Sequence, residues 1–205
     1  TGAAMATTIG RGIGVCYQVY HLCDGKSAIK IKLLYFKPHF QQIHALLKIA
    51  TPGIFQFIIA SCSWVFLAQL VAKTGGDHGS AGYQTAIRLM MFFLLPAWGM
   101  SNAAATLVGQ NLGAKELRRA HESVIKTAKY NMIYMGSVML FTFIGAQYFI
   151  AFFTNDVLIQ DVALKALYII SLGYVFYGIE MVLVSTFNGA GDTWTPTWLN
   201  FFGFW

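Results

Sequence analysis

Residues 81–110 constrain this chain more than any other stretch. They read AGYQTAIRLMMFFLLPAWGMSNAAATLVGQ, with Arg88 as the only charge. A helix of about 20 apolar residues crosses the hydrocarbon of a bilayer, so this run is long enough to span one. Pro96 near its middle removes a backbone hydrogen bond and can kink the helix. A polar corner, Asn111–Ala114, and a basic run from Lys115 to Arg119 follow at once. No water-soluble fold needs such a segment, whereas a membrane bundle does.

Composition agrees. Hydrophobic residues make up 57% of the chain and charged residues 11%, where a soluble domain carries about 25% charge to cover its surface. The chain is therefore expected to be an all-α, polytopic integral membrane bundle. Five apolar spans are expected at 2–23, 50–73, 81–110, 130–153 and 162–187, with the start of a sixth at 194–205. The chain opens without an initiating Met and stops inside an apolar run, so a piece of a longer protein is expected.

Loop charge sets the expected orientation. Asp24–Lys48 carries Lys26, Lys30, Lys32, Lys37 and Lys48, and Asn111–Lys129 carries Lys115, Arg118, Arg119, Lys126 and Lys129. The loops between them, 74–80 and 154–161, carry neither Lys nor Arg. Cationic loops stay cytoplasmic, so 24–48 and 111–129 are expected inside and the two short loops outside. The net charge of +6 thus faces a membrane surface and does not call for nucleic acid. Pro38 followed by HFQQIHALLK suggests an amphipathic helix with Phe40, Ile43, Leu46 and Leu47 on one side, suited to the membrane surface.

Four motifs resemble multidrug and toxic compound extrusion (MATE) transporters, in that family's order. They are Gly2–Gly14; the segment ending Lys48–Gly53; Pro96, Gly99, Ser101, Ala103, Gly109-Gln110-Asn111, Gly113-Ala114 and Arg119-Ala120; and the corner Asn188–Pro196, with Gly189, Gly191 and Asp192. The resemblance implies a twelve-helix transporter of two six-helix lobes. Residues 1–23 would be the last helix of the amino-terminal lobe and 24–49 a cytoplasmic interlobe linker. Residues 50–205 would be most of the carboxy-terminal lobe, with the missing amino-terminal lobe completing the cavity. It implies export of amphipathic, often cationic, small molecules across an inner or plasma membrane. Export would proceed by alternating access, coupled to H+ or Na+ antiport and with no cofactor. The partners are membrane lipid and the substrates. Gly109, Gly113, Gly189 and Gly191 are expected to permit tight turns, and the small residues from Gly99 to Gly109 close helix contact.

Ionisable residues inside apolar spans are costly and face a cavity or a partner. Arg11, Arg88 and Glu180 qualify. Glu180 falls near the membrane midplane and can bind a proton or sodium ion or attract a cationic substrate; its structural alternative is an ion pair, with Arg88 as the candidate partner. Some members of the family carry a glutamate about two turns after the proline that opens this lobe. Here the stretch after Pro52 holds Gln56 and Ala60 and no acid. Gln56, Gln84, Asn102 and Tyr174 are uncharged candidates for a cavity wall, or for helix–helix hydrogen bonds.

Other classes find little footing. His39 and His44 are not at the i, i+4 spacing of a metal pair, Cys16, Cys23 and Cys62 lack metal spacing, and no G-x-x-x-x-G-K-[ST] loop is present,. An enzyme is therefore not expected. A flippase for lipid-linked precursors, from the same broader superfamily, and a non-transporting membrane scaffold are the competing readings.

Overall fold

The computed structural model describes residues 2–23 and 38–204. The expected linker over 24–37 lies outside the described residues. The regular elements are α1 (Gly2–Cys23), α2 (Phe40–Gly113), α3 (Leu117–Phe153), α4 (Val157–Leu172), α5 (Tyr174–Gly189) and α6 (Trp194–Phe204). The chain divides into two units, Thr1–Leu46 and Leu47–Trp205.

In the first unit, α1 leaves its side chains almost wholly exposed, Arg11 among them. Its 22 residues could cross a membrane,, but it falls short of the other spans in hydropathy. Threonines, glycines and Gln18 dilute its apolar residues. The stretch expected as a surface helix is helical from Phe40, as the first turns of α2, and Phe40, Ile43 and Leu46 are exposed.

The second unit is built around a fold-back in α2. At 1.5 Å per residue its 74 residues would reach about 111 Å,, several times the roughly 30 Å of bilayer hydrocarbon. The break falls on Gly76 (φ 57°, ψ −150°), in a backbone region that only glycine adopts readily. Past the break the chain returns along itself. A Cβ placed on Gly79 would lie 3.8 Å from the Val71 carbonyl, although eight residues of straight helix would separate the two by about 12 Å. The sequence pattern predicts a loop over 74–80; helix instead approaches from both sides and one glycine makes the reversal.

Two further boundaries differ from expectation. α3 begins at Leu117, well before the apolar run at 130, because hydropathy marks a hydrocarbon crossing and not the end of a helix. The span expected as one helix over 162–187 is two helices bent by 53°. α4 starts early, at Val157, where the Asp156 carboxylate accepts the Leu158 N–H at 2.9 Å and the Ile159 N–H at 3.4 Å, a capping arrangement. It ends where the Gly173 N–H turns back to the Ile170 carbonyl at 3.0 Å, three residues away, a tightened last turn. α2, α3 and the α4–α5 pair taken together are each long and apolar enough to cross a membrane.

Three buried stripes with helical spacing meet in the core. α2 contributes Ala86, Met90, Leu94, Ala97, Ser101, Ala104 and Val108. α3 contributes Asn131, Met135, Val138, Thr142, Ala146 and Ile150. α4 and α5 contribute Ala163, Leu167, Ser171, Tyr174, Gly178 and Val182. The stripe continues across the bend, so the bend redirects the helix without turning its buried face outward. One apolar cluster joins Ala86 and Leu89 to Ala146, Ile150, Ala163 and Leu167. The next joins Met90, Leu94 and Ala97 to Met135, Val138 and Tyr174, with Trp64 from the first arm of α2 against it.

Candidate functional site

Pro52 lies inside α2 and has no N–H to give the preceding turn. The carbonyls around it find donors in the corner between α5 and α6. The Thr193 hydroxyl donates to the Ile49 carbonyl at 3.0 Å and the Thr197 hydroxyl to the Pro52 carbonyl at 3.1 Å. One turn on, the buried Gln56 amide donates to the Thr193 carbonyl at 2.9 Å. It also exchanges side-chain hydrogen bonds with Asn188 at 3.3 and 3.4 Å. Gln56 is thus committed to a helix–helix junction, and Tyr174, 1% exposed, lies inside the core; the structure places neither on an open wall.

The glycines of the family pattern divide by position. A Cβ on Gly189 would run into the Ala105 backbone, and one on Gly109 would approach the Gly189 carbonyl at 3.1 Å. These two therefore set the close crossing of α2 and α5, and neither makes the turn expected of it. A Cβ added at Gly99 or Gly113 would meet nothing within 4 Å, so the close contact expected at Gly99 falls instead on Ser101, Ala104 and Ala105. A Cβ on Gly178 would meet Met135 at 2.8 Å, where α5 crosses α3. Beside it, Asn131 donates to the Gly178 carbonyl at 2.8 Å and reaches the Ser101 hydroxyl at 3.5 Å. Sequence reasoning misses Asn131, although an amide near the start of the apolar 130–153 run is the available signal.

Both corners at this end of the lobe close by the same backbone device. The Lys115 N–H bonds to the Leu112 carbonyl and the Glu116 N–H to the Asn111 carbonyl; Gly191 and Asp192 repeat the pattern with Asn188 and Phe187. This is the Schellman arrangement, which needs a left-handed residue. Gly191 (φ 86°) supplies it in one corner and Lys115 (φ 61°) in the other, so the turn expected at Gly113 is made two residues later. Asp192 then starts α6, accepting the Thr195 N–H at 3.1 Å and the Thr195 hydroxyl at 2.6 Å.

Those bonds, the hydroxyl's first, hold the Asp192 carboxyl below its ordinary value of 3.8. A depressed folded-state pKa stabilises the fold above the unfolded value and ceases to do so as pH falls through the folded one. The melting difference between wild type and Asp192→Asn should therefore be flat through neutral pH. It should shrink only below the ordinary carboxylate range, as a melting series against pH would show.

The remaining candidates lie on uncovered faces. Gln84, Arg88, Gly99, Asn102 and Gln110 are exposed on one helical stripe of α2, with Pro96 exposed beside it. A face that met only lipid would have no use for a polar group at nearly every other turn. Glu180 lies on α5, exposed, in a groove of about 410 Å³ between α5 and α6 that Phe176, Leu183, Phe187 and Asn200 also line. Asn200 escapes sequence reasoning, because the sequence does not show which α6 side chain meets α5. Among the described residues neither Glu180 nor Arg88 forms an ion pair, so the pairing considered for them is absent there. A lone carboxylate between aromatic walls and an amide can receive a proton, a small cation or a cationic organic group.

Comparison with known proteins gives this geometry a family setting. The MatE family model matches residues 52–205. The chain is 22% identical over its full length to a probable multidrug resistance protein NorM of Thermotoga maritima, covering 44% of that relative. It is 26% identical over its full length to a probable multidrug resistance protein YpnP of Bacillus subtilis, covering 45%. The chain thus spans about half the length of the curated relatives it matches. A crystal structure of MATE in complex with MaL6 superposes with a TM-score of 0.90 at 22% identity, over 98% of this chain and 46% of that one. An outward-facing multidrug resistance MATE family transporter superposes at 0.89 with 22% identity, over 98% and 45%.

Proposed function

This chain belongs to the MatE family, and from that membership we propose that the whole protein is a multi-pass exporter of amphipathic, often cationic, small molecules, driven by inward movement of H+ or Na+. The observation that carries the reading is Glu180, a carboxylate without an ion pair among the described residues, in an aromatic-walled groove on an apolar helix. Intramembrane acids without a structural partner mark ion and substrate paths. The polar stripe of Gln84, Arg88 and Asn102 would line the passage shared with the amino-terminal lobe. Lobes that rock about a midplane site would expose it to each side in turn. The basic segments 24–48 and 111–129 would face the cytoplasm.

The reading is tested with the intact protein in cells stripped of their own exporters. Ethidium efflux is followed under a proton gradient alone and a sodium gradient alone. Efflux under one gradient and not the other is the expected result and names the ion. No efflux under either removes multidrug export and turns attention to lipid-linked precursors.

A further inference from the structure

Between the two apolar clusters, the buried stripes carry a polar layer that transport of a substrate leaves unexplained. Thr142 of α3 and Tyr174 of α5 are 0% and 1% exposed, and neither hydroxyl has a hydrogen-bond partner among the described residues. Ser171, equally buried, donates to the Tyr168 carbonyl at 2.9 Å. Ser171 and Tyr174 flank Gly173, where the α4–α5 pair bends by 53°. Thr142 sits one turn along α3 from Val138, which packs in the same cluster as Tyr174. The helices that bury these groups belong to this lobe, so the other lobe cannot supply the missing partners.

An unpaired hydroxyl in apolar surroundings is a standing cost, and valine and phenylalanine would fill nearly the same volumes without it. The last turn of a helix leaves carbonyls without intrahelical partners. In hydrocarbon those carbonyls must be met by side chains or by ordered water. A buried water is held by two to four polar groups; Thr142 and Tyr174 offer two unpartnered hydroxyls, and the end of α4 at Leu172, next in sequence to the start of α5, offers carbonyls,.

We propose that Thr142 and Tyr174 hold ordered water at the break between α4 and α5. Water there accepts from a hydroxyl and donates to a carbonyl opened by the bend. It can exchange those partners if the bend angle changes, so the break is a hydrated hinge and not a fixed kink. This site is separate from the Glu180 groove and stands whatever the substrate is.

The test uses the intact protein in lipid nanodiscs, with radiolytic labelling in 18O-water. Hydroxyl radicals formed from bound water mark the side chains that touch it. Tyr174 is expected to take up 18O, despite its burial, at a rate near that of the exposed Tyr148, and Thr142→Val to remove most of that uptake. Uptake at Tyr174 no greater than at Leu167, after correction for intrinsic reactivity, overturns the proposal. Melting of Tyr174→Phe gives a second reading that does not depend on Thr142→Val folding. A hydroxyl that bonds to nothing would be improved by its removal, raising Tm by about 2–4 °C or more, and that result also overturns the proposal. An unchanged or lowered Tm for Tyr174→Phe is the outcome expected of a hydroxyl that holds water.

Discussion

Glu180→Gln in the intact protein is expected to abolish most gradient-driven efflux while leaving the amount of protein in the membrane unchanged. The amide keeps the size and much of the hydrogen bonding of the carboxylate and removes its charge and its proton site. Because Glu180 has no ion-pair partner among the described residues, no second buried charge is stranded by the change. Stranding one costs about 3–5 kcal/mol where it happens; here stability should hold. Loss of the charge and the proton site removes what would couple the ion to the substrate, and efflux should fall by roughly tenfold or more, the factor that corresponds to about 1.4 kcal/mol. Ethidium efflux normalised to membrane protein level measures it. Full efflux in the variant would return Glu180 to a merely tolerated charge and move the coupling site to the other lobe.

Gly189→Leu should fail earlier, at folding. The Cβ that leucine adds is directed into the Ala105 backbone, and a backbone, unlike a side chain, has no other rotamer to adopt. α5 and α2 would have to separate where Gly109 also approaches Gly189. Overpacking a core typically costs about 1–3 kcal/mol. A backbone clash belongs at or above the top of that range, enough to lower Tm by roughly 6–12 °C or to lose the monodisperse protein altogether. Gly99→Ala is the matched control: it changes the same residue type on α2 where a Cβ meets nothing within 4 Å, and it should run and melt like wild type. Fluorescence-detected size exclusion with thermal challenge separates the two.

That pair also shows how far the sequence could be read. Gly99 and Gly189 are alike as letters in a family pattern, and only the approach of a second helix distinguishes them. The apolar spans were legible because lipid demands length and hydropathy, and Glu180 was legible because it is the sole acid inside them. Gln56 was visible as a polar residue in an apolar run. Its partners, Asn188 and Thr193, stand 132 and 137 positions away, a distance at which local pattern carries no information. The bend at Gly173 escaped for a different reason. Helices in membranes often contain glycine without bending there, and what shortens this one is a backbone hydrogen bond to Ile170, which composition does not encode. Lys115 in a left-handed conformation escaped because Gly113, two residues earlier, is the residue a turn would favour.

The junction at Pro52 has a consequence for biosynthesis. The carbonyls of Ile49 and Pro52 are met by the hydroxyls of Thr193 and Thr197, residues made long after Pro52 has left the ribosome. At about 5–20 residues per second, the 137-residue separation of Gln56 and Thr193 amounts to roughly 7–27 s. During that interval the first arm of α2 has neither these hydroxyls nor the partners of the Gln56 amide, Asn188 and Thr193. The lobe therefore matures from its far end. The hairpin at Gly76 can form as soon as it is translated, while the Pro52 end waits for α6, and a ribosome stalled before Thr193 would leave a nascent chain with the Gln56 amide short of its Thr193 partner, a mark for quality control to find.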